Sequence, residues 1–342
     1  MYLKIIDDPE AVGKHCKQFV RQLRSRSREK ISVRLGHMGA SSLSHVLWSP
    51  ELGIWMSFDK NRAERFNHAF GVGRPLPDSV LSTACEINFP AGGIDRRMGG
   101  VFARDRKGQI FVAHRGKIGG GRKGIGKSLF ENHYRGVWSL MEDGEQESVV
   151  AVIGAVKSHR FPRQLAHFVL KVDQIKSLAA YAPSPQVTLS FPDTSFREEW
   201  TGSKQYEFFR DMAGLCDQAL VVRDLYQALK AKGYRVANDP FRDLFILDGT
   251  GRIMSLFHIQ TDMRPAALQS GVAQLLLQSL NLPHRTRLFL VIPACPEPGF
   301  RQRLQKTTVE ILVYQWQGEE ASFPELETNW DREAPAAAQD MT

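Results

Sequence analysis

Apolar and polar positions follow different rhythms in the two halves of the chain. Over residues 1–160 the runs GIWMSF (53–58), VLSTACEINF (80–89), GGVFARD (99–105), GQIFVAHRG (108–116) and SVVAVIGAV (148–156) alternate or are rich in β-branched residues, with Gly, Pro or Asp at their ends. That pattern predicts strands. Glu10 to Arg28 has helical spacing, KSLFENHY (127–134) reads as a short helix, and Phe66 and Phe70, four apart, read as the core face of a further helix. Gly108 supplies a hairpin turn between two of the strands. The first half is therefore expected to be an α+β domain rich in strands.

In the second half, residues 203–234 read as two helices or one broken helix, with Leu225 and Leu229 on one face and Gly233 as the stop. RDLFILD (242–248), the turn Gly249-Thr250-Gly251 and RIMSLFHIQTD (252–262) predict an antiparallel pair. Helix 267–282, strand 287–293, helix 299–307 and strand 309–316 follow, which makes an α/β domain. Pro183 and Pro185 disfavour regular structure between the halves. The expected organisation is a first domain over 1–180, a second over 190–318, and an acidic tail over 319–342 that reads as disordered.

Bulk properties narrow the class. A chain of 342 residues exceeds what one core usually supports, and 42 % apolar with 24 % charged residues is the make-up of a folded chain. Without a long apolar run or a hydrophobic leader, the expected location is cytoplasmic, with no membrane partner. Cys16, Cys85, Cys216 and Cys295 have no metal-site or framework spacing, and read as four buried, reduced thiols. The net charge of +8 is unevenly held: residues 1–160 carry 26 Lys and Arg against 16 Asp and Glu, the remainder 19 against 21. A basic first half points to a polyanion, nucleic acid above all and DNA before RNA.

The series RDLFILDGTGRIMSLFHIQTD, SGVAQLLLQSL, RLFLVIP and VEILVYQW resembles the core of the PD-(D/E)XK nuclease superfamily over roughly residues 200–317. The resemblance implies a restriction-endonuclease-like fold. It also implies a site in which an acid on one strand meets a D/E-x-K pair on the next, with a glutamine on the following helix. Residues two apart on a strand share a face, so such side chains can converge on a divalent cation and a water. Carried over, Asp243 matches the first acid, His258 and Gln260 occupy the D/E and K positions, Gln274 matches the helix glutamine, and Glu207 matches an acid that some members place in the preceding helix. Asp262 is an alternative carboxylate two residues beyond Gln260, so Asp243 and Asp262 are the metal candidates. Histidine and glutamine in place of carboxylate and lysine depart from the motif, because a hard cation such as Mg²⁺ prefers oxygen ligands.

Finally, GGGRKGIGKS (119–128) spells the P-loop pattern from Gly121 to Ser128. Its surroundings lack the alternating strands and helices of a P-loop domain. Arg115, Lys117, Arg122, Lys123 and Lys127, with nearby glycines, instead read as a nucleic-acid backbone contact, joined by Arg96 and Arg97. The sequence thus describes a nucleic-acid-binding protein of restriction, repair or phage-defence type, working alone or with protein partners in a defence complex. Its second domain is either a divergent endonuclease using Mg²⁺ or Mn²⁺, or a catalytically inactive relative, and no organic cofactor is expected. The alternatives are a non-enzymatic adaptor and, further off, a P-loop nucleotide-binding enzyme.

Overall fold

A computed structural model describes residues 2–37, 40–59, 64–118, 125–180, 195–196, 205–206, 212–282 and 286–328. The chain forms two compact units, Met1–Gln186 with Lys204–Cys216, and Val187–Ser203 with Asp217–Thr342. A single cut between residues 180 and 190 misplaces the segment Lys204–Cys216, which belongs to the first unit.

The first unit runs β1 (Tyr2–Ile5), α1 (Pro9–Arg24), β2 (Glu29–His37), β3 (Ala40–Ser49), β4 (Ile54–Asp59), β5 (Arg65–Val72), β6 (Val80–Leu81), β7 (Cys85–Glu86), β8 (Phe89–Pro90), β9 (Gly100–Arg104), β10 (Ile110–His114), α2 (Lys127–His133), β11 (Val137–Asp143), β12 (Gln146–Ala155), α3 (Phe161–Ala180) and β13 (Gln205–Tyr206). The strands β1, β9, β10, β12 and β11 pair in that order, and β11 pairs with β1 again, which closes a five-stranded barrel. Within the barrel only that closing pair is parallel, and β13 adds a further parallel pair on β11. One set of alternating side chains from all five strands, including Leu3, Val101, Phe111, Val150 and Met141, forms a single apolar cluster. The other set, including Phe102, Val112, Trp138 and Ile153, packs with α1 and α3.

A second sheet has the order β6-β2-β3-β4-β5-β7, with β8 also on β5. Phe66 and Phe70 stand on β5, not on a helix. Their core reading is right for Phe70, which is fully buried, because residues four apart share a strand face as they share a helix face. Next to Phe70, Gly71 pairs across β4 with Trp55, and a Cβ there would lie 2.3 Å from the buried indole. We expect Gly71→Ala to cost about 1–3 kcal/mol through displacement of that ring, read as a lower urea midpoint with an unchanged slope.

Helix α1 lies against both layers. Asp8 caps it by accepting the Ala11 N–H at 2.8 Å, and Pro9 fits the first turn. Val12, Cys16, Phe19 and Leu23 form its inward stripe. The Phe19 ring is ringed by His68, Phe70, Phe89, Phe102 and Phe161 at centroid distances of 5.1 to 6.5 Å. Helix α3 is more deeply enclosed, with even Lys171 buried, donating to the Arg135 carbonyl and lying over the Tyr134 ring.

The second unit takes up the chain within α4 (Met212–Ala231) and continues β14 (Arg235–Ala237), β15 (Leu244–Leu247), β16 (Ile253–Ile259), α5 (Pro265–Ser279), β17 (Arg287–Ile292), α6 (Pro298–Leu304), β18 (Val309–Val313), β19 (Gln315–Gln317), β20 (Glu320–Ser322) and α7 (Pro324–Thr328). Its sheet is β14-β15-β16-β17-β18, antiparallel up to β16 and parallel thereafter. Parallel neighbours need crossovers, and α5 and α6 supply them. The turn after β15 is closed by Gly251 at φ +85°, and α4 ends where Gly233 takes φ +86°.

Two expectations change here. Strand β14 precedes the expected antiparallel pair, and residues 320–328 form a strand and a helix where an unstructured tail was expected. Ala321, Phe323 and Leu326 are buried, and the Ala321 N–H donates to Asp224 Oδ2 on α4 at 2.8 Å. Residues 329–342 lie outside the described residues.

Candidate functional site

The register of β15 against β16 decides which candidates meet. Leu244 pairs with Phe257, so Asp243, just before β15, falls opposite His258. Asp243 Oδ2 lies 2.9 Å from His258 Nδ1 and accepts the Ile259 N–H at 2.9 Å. Gln218, on α4, donates to the Ile259 carbonyl at 3.1 Å and holds the same strand end from another element. His258 is buried against α5, where a Cβ on Gly271 would stand 3.1 Å from the imidazole Cδ2. With Nδ1 as donor to the carboxylate, Asp243 orients the ring and seals the end of the strand.

The remaining candidates do not converge on this pair. Gln260 Nε2 donates to the Ala267 carbonyl, and its Oε1 accepts the Asp262 N–H, so the amide braces the turn into α5. Asp262 is engaged by Arg264 through both carboxylate oxygens, at distances from 2.5 to 3.0 Å. Gln274 is exposed on α5, while Gly271 and Leu275 face the sheet. Glu207 lies outside the described residues. Asp239 and Asp248 each cap a local turn through backbone N–H groups.

A hard divalent cation calls for several oxygen ligands. Asp243 brings one carboxylate already shared by a histidine and a backbone N–H, and Asp262 is neutralised by arginine. Among the described residues, no three His, Cys, Asp or Glu side chains gather into a metal-binding group. The described donors therefore do not fit Mg²⁺ or Mn²⁺, and the expectation of a metal at Asp243 and Asp262 does not carry into this geometry.

The basic candidates of the first unit also separate. Arg115 is buried and forms a two-point ion pair with Asp143, whose side chain is wholly inaccessible. Arg96 adds a hydrogen bond to the Asp143 carbonyl at 2.6 Å and a contact to the carboxylate at 3.4 Å, and Ser148 donates to the same carboxylate. Burial alone would raise the Asp143 carboxyl, but Arg115, Ser148 and Arg96 together hold it below the usual range. The expectation that Arg115 contacts phosphate is thus corrected: a buried aspartate needs its charge. Arg97 pairs with Asp95, Lys117 donates to the Arg96 carbonyl at 2.5 Å, and Lys127 pairs with Glu131 at 3.5 Å; all three cations remain exposed. Arg122 and Lys123, with the centre of the glycine loop, lie outside the described residues.

One further correction concerns cysteine. Cys295 is exposed, whereas Cys16, Cys85 and Cys216 are buried. Burial pushes the Cys85 thiol up to about 12, which makes it inert rather than nucleophilic. His68 is held at about 4 by burial, donates from Nδ1 to the Ile87 carbonyl, and accepts at Nε2 from the Cys16 thiol at 3.6 Å. This Cys-His pair has its hydrogen bonds filled and no solvent access.

The reading of the basic loop passes over Lys14, Lys17, Arg21 and Arg24 on α1, although their 3-4-3 spacing within a helical segment was the available signal. No family model matches the chain, and no curated protein or solved structure is similar enough to stand as a relative. Among the described residues, no helix is long and apolar enough to cross a membrane.

Proposed function

We propose that this protein binds nucleic acid through its basic first unit and that its second unit is a nuclease-like core retained for docking, without a cutting site of its own. The observation that carries the reading is the charge partition, 26 cationic against 16 anionic side chains over residues 1–160. Polyanion binding draws its affinity from such an excess through counterion release. The order α4, β14, β15, β16, α5, β17, with Asp243 and His258 meeting across β15 and β16, supports the resemblance to PD-(D/E)XK nucleases. The engagement of Asp243 by His258 and a backbone N–H, and of Asp262 by Arg264, supports docking over cleavage. The resemblance also supplies the setting, a restriction, repair or phage-defence component.

Titrating the full chain with labelled duplex DNA, single-stranded DNA and RNA between about 50 and 200 mM salt tests the first part. Salt-sensitive binding, tightest to duplex DNA, is expected. Incubation with plasmid in Mg²⁺ or Mn²⁺ tests the second part, and uncut plasmid is expected. Cleavage that disappears in Asp243→Ala, with the variant still folded, would replace docking by catalysis.

A further inference from the structure

The inward stripe of α1 leaves one outward edge, and its composition is uneven. From Gly13 to Arg24 the exposed residues are Lys14, Lys17, Arg21 and Arg24, and no others. Their 3-4-3 spacing keeps them within an arc of roughly 80° and spreads them over about 15 Å of helix. Among the described residues, none of the four has an ion-pair partner. The acid on this edge is Glu10, one turn before Lys14.

An ordinary solvated helix face interleaves acids with bases, because pairs four apart then stabilise it and like charges do not. The helix dipole accounts for Arg21 and Arg24 in the last turn, but Lys14 and Lys17 stand outside that turn. Lys157 adds to the same field. It follows Val156, whose carbonyl accepts from Gln22 of α1 at 2.6 Å. Its charge joins burial and Lys14 in lowering the His15 imidazole. Such an array is repulsive when left alone.

We propose that the outward edge of α1 is the surface on which this protein holds a nucleic-acid backbone, with Lys14, Lys17, Arg21 and Arg24 as phosphate contacts and Lys157 at their flank. This deepens the proposed function and rests on it, since it names the surface for the binding inferred from charge. Cations every 5 Å or so along a straight edge match the closely repeated charges of a phosphate chain. An anionic membrane fits less well: a surface-seeking helix turns an apolar face to lipid, and the apolar face of α1 is committed to the core, with Phe19 and Leu23 at 0 % exposure.

The test compares three full-length proteins on one labelled duplex of about 20 base pairs, across the salt series given above. They are the wild type, the variant with Lys14→Gln, Lys17→Gln, Arg21→Gln and Arg24→Gln, and a control with Lys117→Gln and Lys127→Gln. In the fourfold variant we expect a roughly 10- to 100-fold weaker affinity near 100 mM salt and a log-log salt slope shallower by about 3 to 4. The control should lose less. Should the fourfold variant fail to fold by circular dichroism, Lys14→Gln and Lys17→Gln made singly should each flatten the slope by about 0.9. Wild-type-like binding and slope in the folded variants would overturn the surface and leave nucleic-acid binding standing. A wild type that binds no nucleic acid, or that binds phosphatidylserine vesicles instead, would overturn the proposed function and this inference with it.

Discussion

Arg115→Ala should destabilise the first unit by about 3–5 kcal/mol, because it strands the Asp143 carboxylate in the interior with its main partner gone. Arg96→Ala should cost under about 1 kcal/mol, since that side chain is nearly half exposed and its contact with the carboxylate is long. The pair also admits a replacement test. Arg115→Met together with Asp143→Leu removes both charges at once and should recover most of the loss, as an apolar pair needs no desolvation. Urea denaturation of the three proteins at neutral pH checks all of this. An Arg115→Ala protein of unchanged stability but weakened DNA binding would instead return the arginine to the phosphate-contacting set.

Acid should unfold the first unit through two histidines. His68 and His114 are buried and held at about 4, below the ordinary 6.5, by burial only partly offset by hydrogen bonds to the Ile87 and Glu86 carbonyls. Each ring is neutral, with one nitrogen donating and the other accepting; His114 accepts the Gly116 N–H at Nδ1. Between pH 6.5 and 4 the unfolded chain binds protons that the folded chain does not. Stability is therefore complete above pH 6.5 and falls as the pH drops, by on the order of 3 kcal/mol for each histidine by pH 4. Two such losses approach the whole stability of a typical domain. Denaturation midpoints taken at successive pH values should show this slope, and His68→Gln should remove about half of it. A profile that stays flat down to pH 4 would contradict the assignment.

Where the sequence could be read, local rules and tertiary structure agreed. The hairpin at Gly108, the stop at Gly233 and the turn at Gly251 are backbone requirements that only a few residues meet, so they show in one dimension. Helix α1 was legible because its buried residues recur at helical spacing. Helix α3 was not singled out: Gln164, His167 and Lys171 are buried along with its apolar residues, so its polar letters do not mark a solvent face. Strands β1 and β14, of 4 and 3 residues, are too short to show an alternating pattern, and β1 takes its partners from strands distant in the sequence.

The candidate sites divide in the same way. Asp243 and His258 could be brought together from sequence only through the family resemblance, because a bulge after Ile246 shifts the register between the turn and this pair. Arg115 misled because a buried arginine and a phosphate-binding arginine are the same letter, and its partner Asp143 lies 28 residues away. The cations of α1 are spread over eleven residues and become one edge only when the helix is wound, whereas those around the glycine loop are dense in the linear chain.

The burial of Ala321, Phe323 and Leu326 also bears on where this protein can safely be shortened. A truncation after Gln317 looks harmless on paper, for it removes a stretch rich in acids and alanines. It would in fact uncork the second unit, exposing Tyr314 and the flank of α4 and freeing Asp224 from the strand it anchors. Expression boundaries for the isolated unit therefore belong beyond Thr328, and a fusion partner at the C-terminus should be joined there.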